Sequence, residues 1–274
     1  MPLTDKVALV LGSVKGIGKV IGLDLARAGA RVAYTHHDWP ESLPLLKEDA
    51  AAANPTHLVV SVDLTDTAAV DALVQTVIDR FGRLDILINN IERGGWPVVH
   101  GDYTKAQWDL EQETTLRAKQ WIFQAALPHL KAGVESVVVN ISSIAALVGR
   151  CGPASLLFND GYAAANRAVS LLTETWARIG APEVRVNELM LGLVETRHGP
   201  NTRGWGLLND AQRQALTDHV LLKRVGTVQD VVQAVRFLLC QAPYMTGGIL
   251  RLDGGYVLGG EPVAPMPEGV EKID

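Results

Sequence analysis

Unbroken apolar runs alternate with amphipathic stretches along this chain. Val7 to Leu11 is apolar without interruption and stops at Gly12, with Gly16 and Gly18 close behind. A short apolar run bounded by glycine predicts a buried strand, and this glycine spacing lets the strand turn sharply into a helix. Val20, Ile21, Leu23, Leu25 and Ala26 then mark one helical face, and Gly29 stands where a C-cap glycine belongs. A second strand is predicted from Arg31 to about His36. Next come a helix over about Glu41–Ala53, a strand over His57–Val62, a helix over Thr67–Phe81 and a strand over Leu84–Asn89. Strands and helices in this rhythm predict a parallel sheet covered on both faces, the doubly wound α/β arrangement of Rossmann type.

The first strand–turn–helix junction has a chemical consequence. Its glycines allow close backbone approach, and the first helical turn offers N–H groups and a positive dipole end, which together predict a cradle for a pyrophosphate. A bare connection without ligand is the other reading. At the end of the second strand an acid would favour NAD by accepting a ribose hydroxyl. This chain has His36 and His37 there, with Lys15 inside the glycine loop. That charge favours a 2′-phosphate, so NADP(H) is expected over NAD(H), unless Lys15 is merely solvated and Asp38 holds the ribose. Asp63 at the third strand's tip either accepts from an adenine amino group or caps the next helix.

Composition narrows the class. With 274 residues and 47% hydrophobic content, the chain suits a single domain, expected over residues 1–260. The tail, 261–274, is broken by Pro262, Pro265 and Pro267 and reads as irregular, closing over a neighbouring subunit or mobile. A net charge of −5 without a basic run argues against nucleic acid or an anionic membrane as partner. No apolar run nears the roughly 20 residues of a membrane span, and MPLTDK has no export pattern, so a cytoplasmic location is expected. Cys151 and Cys240 stand in no redox or metal spacing and the histidines never fall at i, i+4, so no metal is expected.

From the middle of the chain onward the motifs accumulate. GSVKGIG, LDILINN, VVVNISS, YAAAN beginning at Tyr162, RVNELMLG and FLLCQAPYMTGGILRLDGGY follow in order between Asp5 and Tyr256. Together they resemble the short-chain dehydrogenase/reductase family, in its 3-oxoacyl-carrier-protein reductase branch. The resemblance implies a seven-stranded parallel sheet of order 3-2-1-4-5-6-7, assembled as a homotetramer or homodimer. It implies pyrophosphate contacts at Gly12, Gly16 and Gly18, with Lys15 and Ile17 in the same loop. It also implies adenine contacts at Asp63 and Leu64, the nicotinamide ribose near Asn89, and the carboxamide at Gly192 and Thr196. Three departures stand in this half: Leu11 for threonine, Ile91-Glu92 for alanine-glycine, and Leu191 for proline.

The catalytic half departs further. The family uses a tyrosine as proton donor, a serine that orients the carbonyl, a lysine that lowers the tyrosine pKa, and an asparagine in a proton relay. Ser143 and Tyr162 match, whereas Asn166 stands at the lysine position and Thr115 at the asparagine position. A free tyrosine, with a pKa near 10, is ionised only about one part in a thousand at pH 7, and a nearby cation is what raises that fraction. Asn166 brings no cation, although it can still hydrogen-bond a ribose hydroxyl. Reduction suffers less than oxidation, because reduction needs the protonated tyrosine.

Two charged residues stand where apolar ones are expected. Lys119, on the stripe of Trp108, Ile122 and Ala126, either reaches the Tyr162 region, snorkels at a subunit interface or pairs with an acid such as Glu188. Glu188, inside a predicted buried strand, either pairs with Lys119 or Arg167 or acts as an acid–base group. A substrate lid is expected over Arg197–Val220, carrying His198, Trp205 and His219 with Gly199, Gly204 and Gly206. The extra residues around Gly152–Asp160 should border the cleft. Trp121 and Trp176 lie on the helices that pair between family subunits. The reading is an NADP(H)-dependent reductase of a ketone or 3-oxoacyl substrate, a small-molecule carbonyl. A nucleotide-binding partner or sensor, and a non-redox lyase or isomerase using Ser143, Tyr162 and Glu188, are the alternatives.

Overall fold

The computed structural model describes residues 3–91, 104–196, 205–260, 263–267 and 269. Seven parallel strands form one sheet in the order β3-β2-β1-β4-β5-β6-β7. They are β1 (Val7–Val10), β2 (Arg31–His36), β3 (His57–Ser61), β4 (Ile86–Asn89), β5 (Ser136–Ser143), β6 (Val184–Leu191) and β7 (Ile249–Leu252). The order reverses between β1 and β4, so their carboxyl ends open a crevice of the kind that binds ligands in such sheets.

The apolar run of β1 serves both faces. Ala8 and Val10 pack with Ile21 and Leu25 of α1 (Gly16–Arg27) and with Val231 and Val235 of α9 (Val228–Arg236). Val7 and Leu9 pack on the other face with Val70, Val74 and Val77 of α3 (Thr67–Phe81), Ile122 of α5 (Ala118–Lys131) and Trp176 of α7 (Asp160–Gly180). A side chain on each face is what an uninterrupted apolar strand in a doubly covered sheet requires. α2 (Leu43–Ala53) completes the first layer through Leu46 and Ala50.

Several boundaries differ from expectation for local reasons. α1 starts at Gly16 rather than after Gly18. The expected Glu41–Ala53 helix opens as a 3₁₀ turn, Pro40–Ser42, before α2 begins at Leu43. β3 stops one residue earlier, at Ser61, and β4 begins at Ile86, although Leu84 and Asp85 remain buried. α4 (Lys105–Glu111) runs into α5 through a π-helical turn, Gln112–Arg117. Trp176 is not exposed on a pairing helix: it is 1% exposed, stacked on Phe123 at 4.5 Å, and donates to Gln120 Oε1. Trp121 is the outward one, 38% exposed. No helix among the described residues is long and apolar enough to cross a membrane.

Candidate active site

Three glycines shape the turn after β1. Gly12 (φ +59°) and Gly16 (φ +60°) adopt left-handed conformations, and a methyl group on Gly12 would lie 2.4 Å from the Asn90 carbonyl oxygen. Space around Gly16 is open, so backbone there can be approached closely. Side chains from two neighbouring strands hold the loop. Thr35 Oγ1 accepts from the Gly12 N–H at 3.1 Å, Ser13 Oγ accepts from the Thr35 N–H at 2.8 Å, and Asn90 Nδ2 donates to the Leu11 and Gly12 carbonyls at 3.3 Å. No side chain caps α1 at Lys15, so its first-turn N–H groups suit an anion. Ile17 packs on the core below. A cradle that a Cβ would fill, facing an uncapped helix start, fits the pyrophosphate of a dinucleotide. Thr35, Ser13 and Asn90 were not singled out from the sequence, since only their convergence marks them.

Beside this loop the charges pair unexpectedly. Asp63 Oδ1 accepts from the Thr65 N–H and hydroxyl at 2.9 and 2.7 Å, and Oδ2 lies 3.8 Å from His37 Nε2. Asp66, not Asp63, caps α3. Leu64 packs on the core edge. The His36 pKa is pushed down, first by burial and then by the charges of Lys47 and His37, so His36 is neutral at pH 7. Lys15 Nζ lies 2.9 Å from the centroid of the Trp39 indole.

At the next strand end, Asn89 is buried and donates to Asn140 Oδ1 at 3.2 Å, and Asn140 donates to Thr173 Oγ1 at 2.8 Å. The Asn89 amide thus ties β4 to β5 and α7, while its Oδ1 has no partner among the described residues. A Cβ on Gly192 would lie 2.6 Å from Asp253 Cα, which brings the loop after β6 against the end of β7. Thr196 closes that loop with its N–H on the Val194 carbonyl.

Ser143 is the last residue of β5, and its Oγ accepts from the Ala145 N–H at 3.1 Å, leaving its own proton to give. α6 (Ala145–Val148) follows directly. Tyr162 sits in the first turn of α7, its N–H held by the Asn159 cap and its ring 5.9 Å from Phe158. Ile144 and Ala145, next to Ser143, pack in the same buried cluster as Tyr162, Phe158, Met190 and Tyr256. Asn166 is fully buried: Nδ2 donates to the Tyr162 carbonyl at 2.9 Å, and Oδ1 has no partner among the described residues. Thr115, inside the π-helical turn, donates to Glu111 Oε1. Such turns recur at functional sites.

Lys119 does not snorkel. It is 0% exposed and donates from Nζ to the Ile141 carbonyl at 2.7 Å. The β4–β5 register ends at Asn89–Asn140, so Ile141 lies beyond the strand partner and the ammonium takes that partner's place. Glu188 is also fully buried, with Oε1 accepting from Ser142 and from Ser170, the latter at 3.1 Å. Oε2 has no partner among the described residues. Burial pushes the Glu188 pKa up, against the two serine bonds and the charges of Lys119 and Arg167.

The extra segment forms a 3₁₀ turn, Pro153–Leu156, whose Ala154 N–H is held by Tyr256 Oη at 2.7 Å. Burial pushes Tyr256 up to about 12, despite that bond. His219, at the end of α8 (Asp210–His219), packs 4.5 Å from the same ring, and Trp205 lies against the cluster. Arg197, His198, Gly199 and Gly204 of the expected lid, Glu92, and most of the 261–274 tail lie outside the described residues. A cavity of about 400 Å³ beside Ala215, His219 and Gly260 is lined by none of the candidate catalytic residues.

Residues 12–257 match the family model described as Enoyl-(Acyl carrier protein) reductase. The short-chain dehydrogenase/reductase FrzI of a Cladobotryum species is 32% identical over 264 residues, 93% of this chain and 97% of that protein. The 3-oxoacyl-[acyl-carrier-protein] reductase FabG of Vibrio cholerae is 32% identical over 259 residues, 93% of this chain and 98% of that protein. The crystal structure of levodione reductase superimposes with a TM-score of 0.82 at 26% identity, covering 93% of this chain and 98% of that one.

Proposed function

The chain belongs to the short-chain dehydrogenase/reductase family, whose oxidoreductases use a nicotinamide cofactor, and from that premise we propose that it reduces a ketone or 3-oxoacyl substrate with NADP(H), Tyr162 giving the proton. The observation that carries this reading is that Tyr162 packs in one buried apolar cluster with Ile144 and Ala145, the two residues that follow Ser143 at the end of β5. Gly12, Lys15, Gly16, Ile17 and Gly18 hold the cofactor's phosphates, His36, His37, Asp63 and Leu64 flank its adenosine half, and Asn89, Gly192 and Thr196 its nicotinamide half. When bound, the cofactor supplies the hydride.

Ser143 donates a hydrogen bond from its hydroxyl to the carbonyl oxygen and so orients it. Tyr162 gives its phenolic proton to that oxygen as negative charge develops there. The apolar side chains around both keep water out. Neutral Asn166 leaves the phenol its proton, which suits reduction over oxidation, and the orphaned Asn166 Oδ1 can accept from a hydroxyl donor. Thr115, at the asparagine position, donates its hydroxyl to Glu111. Copies of the chain associate as a homodimer or homotetramer through α5 and α7, where Trp121 and Leu171 are exposed.

Following NADPH oxidation across a panel of ketones and 3-oxoacyl thioesters tests the reading. Reduction should proceed, the reverse oxidation should be slower at neutral pH, and Tyr162→Phe should lower kcat by about 10²- to 10⁴-fold. Stoichiometric NADPH binding without turnover would instead make the chain a nucleotide-binding partner or sensor. Product formation without NADPH oxidation would make it a lyase or isomerase.

A further inference from the structure

Trp39 is a bulky residue held in a conformation it has no reason to prefer. Its backbone is left-handed, at φ 66° and ψ 55°, and Pro40 follows. A large aromatic at positive φ is an outlier, and conformations of this kind persist where surrounding contacts over-determine them, often at ligand clamps. Here the contacts are visible. The indole packs against the core cluster that carries Ile21 and Val32, and the Lys15 ammonium stands 2.9 Å from its centroid.

The two residues come from opposite sides of one notch. Lys15 belongs to the glycine loop and immediately precedes α1, whereas Trp39 follows the end of β2 by three residues. Thr35, on β2, accepts from Gly12 and bonds Ser13, so loop and strand end are fixed against each other. In dinucleotide sites of this sheet type the adenine ribose meets the end of the second strand.

We propose that Trp39 is a specificity-determining residue of the nucleotide site: its indole face holds the Lys15 ammonium beside the adenine ribose, where it selects a nucleotide bearing a 2′-phosphate. The inference rests on the NADP(H) reading and supplies its physical basis. Asp63 accepts from Thr65 and faces His37, and Asp49 pairs with Lys19 at 2.6 Å. A free lysine side chain loses much rotamer freedom on being ordered by a ligand. One already resting on a π-face loses less, and that preorganisation appears as affinity. A dianionic phosphate draws on the ammonium fully, whereas an unphosphorylated ribose, which Asp38 would hold, gains little from it.

Calorimetric titration with adenosine 2′,5′-bisphosphate and with 5′-AMP isolates this contact, because neither probe carries a nicotinamide. The wild-type chain should bind the bisphosphate more tightly. Trp39→Leu, which fills the space without a ring, should weaken the bisphosphate roughly 5- to 20-fold, the range of a partly desolvated cation–π contact, and leave 5′-AMP within about twofold. Trp39→Phe, which keeps a π-face, should retain most of the affinity, and Lys15→Met, which removes the charge itself, should weaken the bisphosphate at least as much as Trp39→Leu. Equal loss for both probes, or no loss, overturns the role of Trp39 while a wild-type preference for the bisphosphate leaves the NADP(H) reading standing. A wild-type chain without that preference overturns both. If Trp39→Leu does not fold, the comparison of Trp39→Phe with Lys15→Met decides: tight bisphosphate binding by the first and weak binding by the second supports the clamp, and any other order overturns it.

Discussion

A methyl group on Gly18 would lie 2.4 Å from the Gly12 carbonyl oxygen and 2.7 Å from Asn90 Nδ2. Gly18→Ala must therefore push α1 away from the loop it supports, at a cost of about 1–3 kcal/mol. NADPH affinity should fall by about tenfold or more, as 1.4 kcal/mol is a factor of ten, while circular dichroism stays native. The second residue-scale expectation concerns Glu188. Its carboxyl has a raised pKa in the folded chain, chiefly through burial, so the folded state binds more protons than the unfolded one above the ordinary glutamate pKa. Stability from this group is then complete below about pH 4.3 and declines as pH rises toward the folded pKa. Glu188→Gln should flatten that decline in a series of urea melts across pH, and a slope identical to wild type would refute the assignment. An unchanged pH–rate profile in the same variant would remove Glu188 from the acid–base chemistry.

At the scale of elements, the end of β5 is the critical part, because Ser143 stands there after β4 has already stopped. Beyond Asn140, the Lys119 ammonium on Ile141 replaces part of the missing β4 support, and the Ser142–Glu188–Ser170 bonds tie the still-paired β6 to β5 and α7. Lys119→Met strands a buried carbonyl, which costs about 1–3 kcal/mol. A lower Tm with a reduced kcat and little change in KM is expected, since Ser143 loses its rigid base. If turnover is untouched, Lys119 serves only stability. The π-helical turn before α5 has a related consequence: it carries Thr115, whose hydroxyl bonds Glu111 one turn earlier. The strands and helices from Val7 to Asn89 were legible in periodicity, and those after it entered with the family motifs. The π-helical turn was legible in neither, because its extra residue per turn leaves no mark in the apolar pattern.

For the whole molecule, α5 and α7 expose apolar side chains that a neighbour could bury. Leu171 is 66% exposed and Ile179 47% exposed, both on α7, and Trp121 on α5 is 38% exposed. Exposed apolar side chains on these two helices suit an interaction site, and a second copy of the chain is the expected partner. Light scattering should give a multiple of 29.5 kDa, and Leu171→Glu should shift the mass toward the monomer. A monomeric wild-type chain would contradict this. Trp176 was expected on the same surface, yet it turns inward onto Phe123. Helical periodicity marks which residues share a stripe, but the docking of the two helices decides which stripe faces the sheet.

The local chemistry of the chain determined the strand–helix alternation, the glycine turn and the presence of Ser143 and Tyr162, because periodicity, positive-φ glycines and motif spacing act over a few residues. The seven-strand order entered with the family resemblance, and the sheet has that order. Tertiary structure alone decided that Trp39 lies over Lys15, that His37 faces Asp63, that Lys119 bonds Ile141, and that Glu188 rests on Ser142 and Ser170. Each of these joins residues about 18 to 46 positions apart. Such pairs meet through strand order, parallel register and helix docking, which no local pattern encodes.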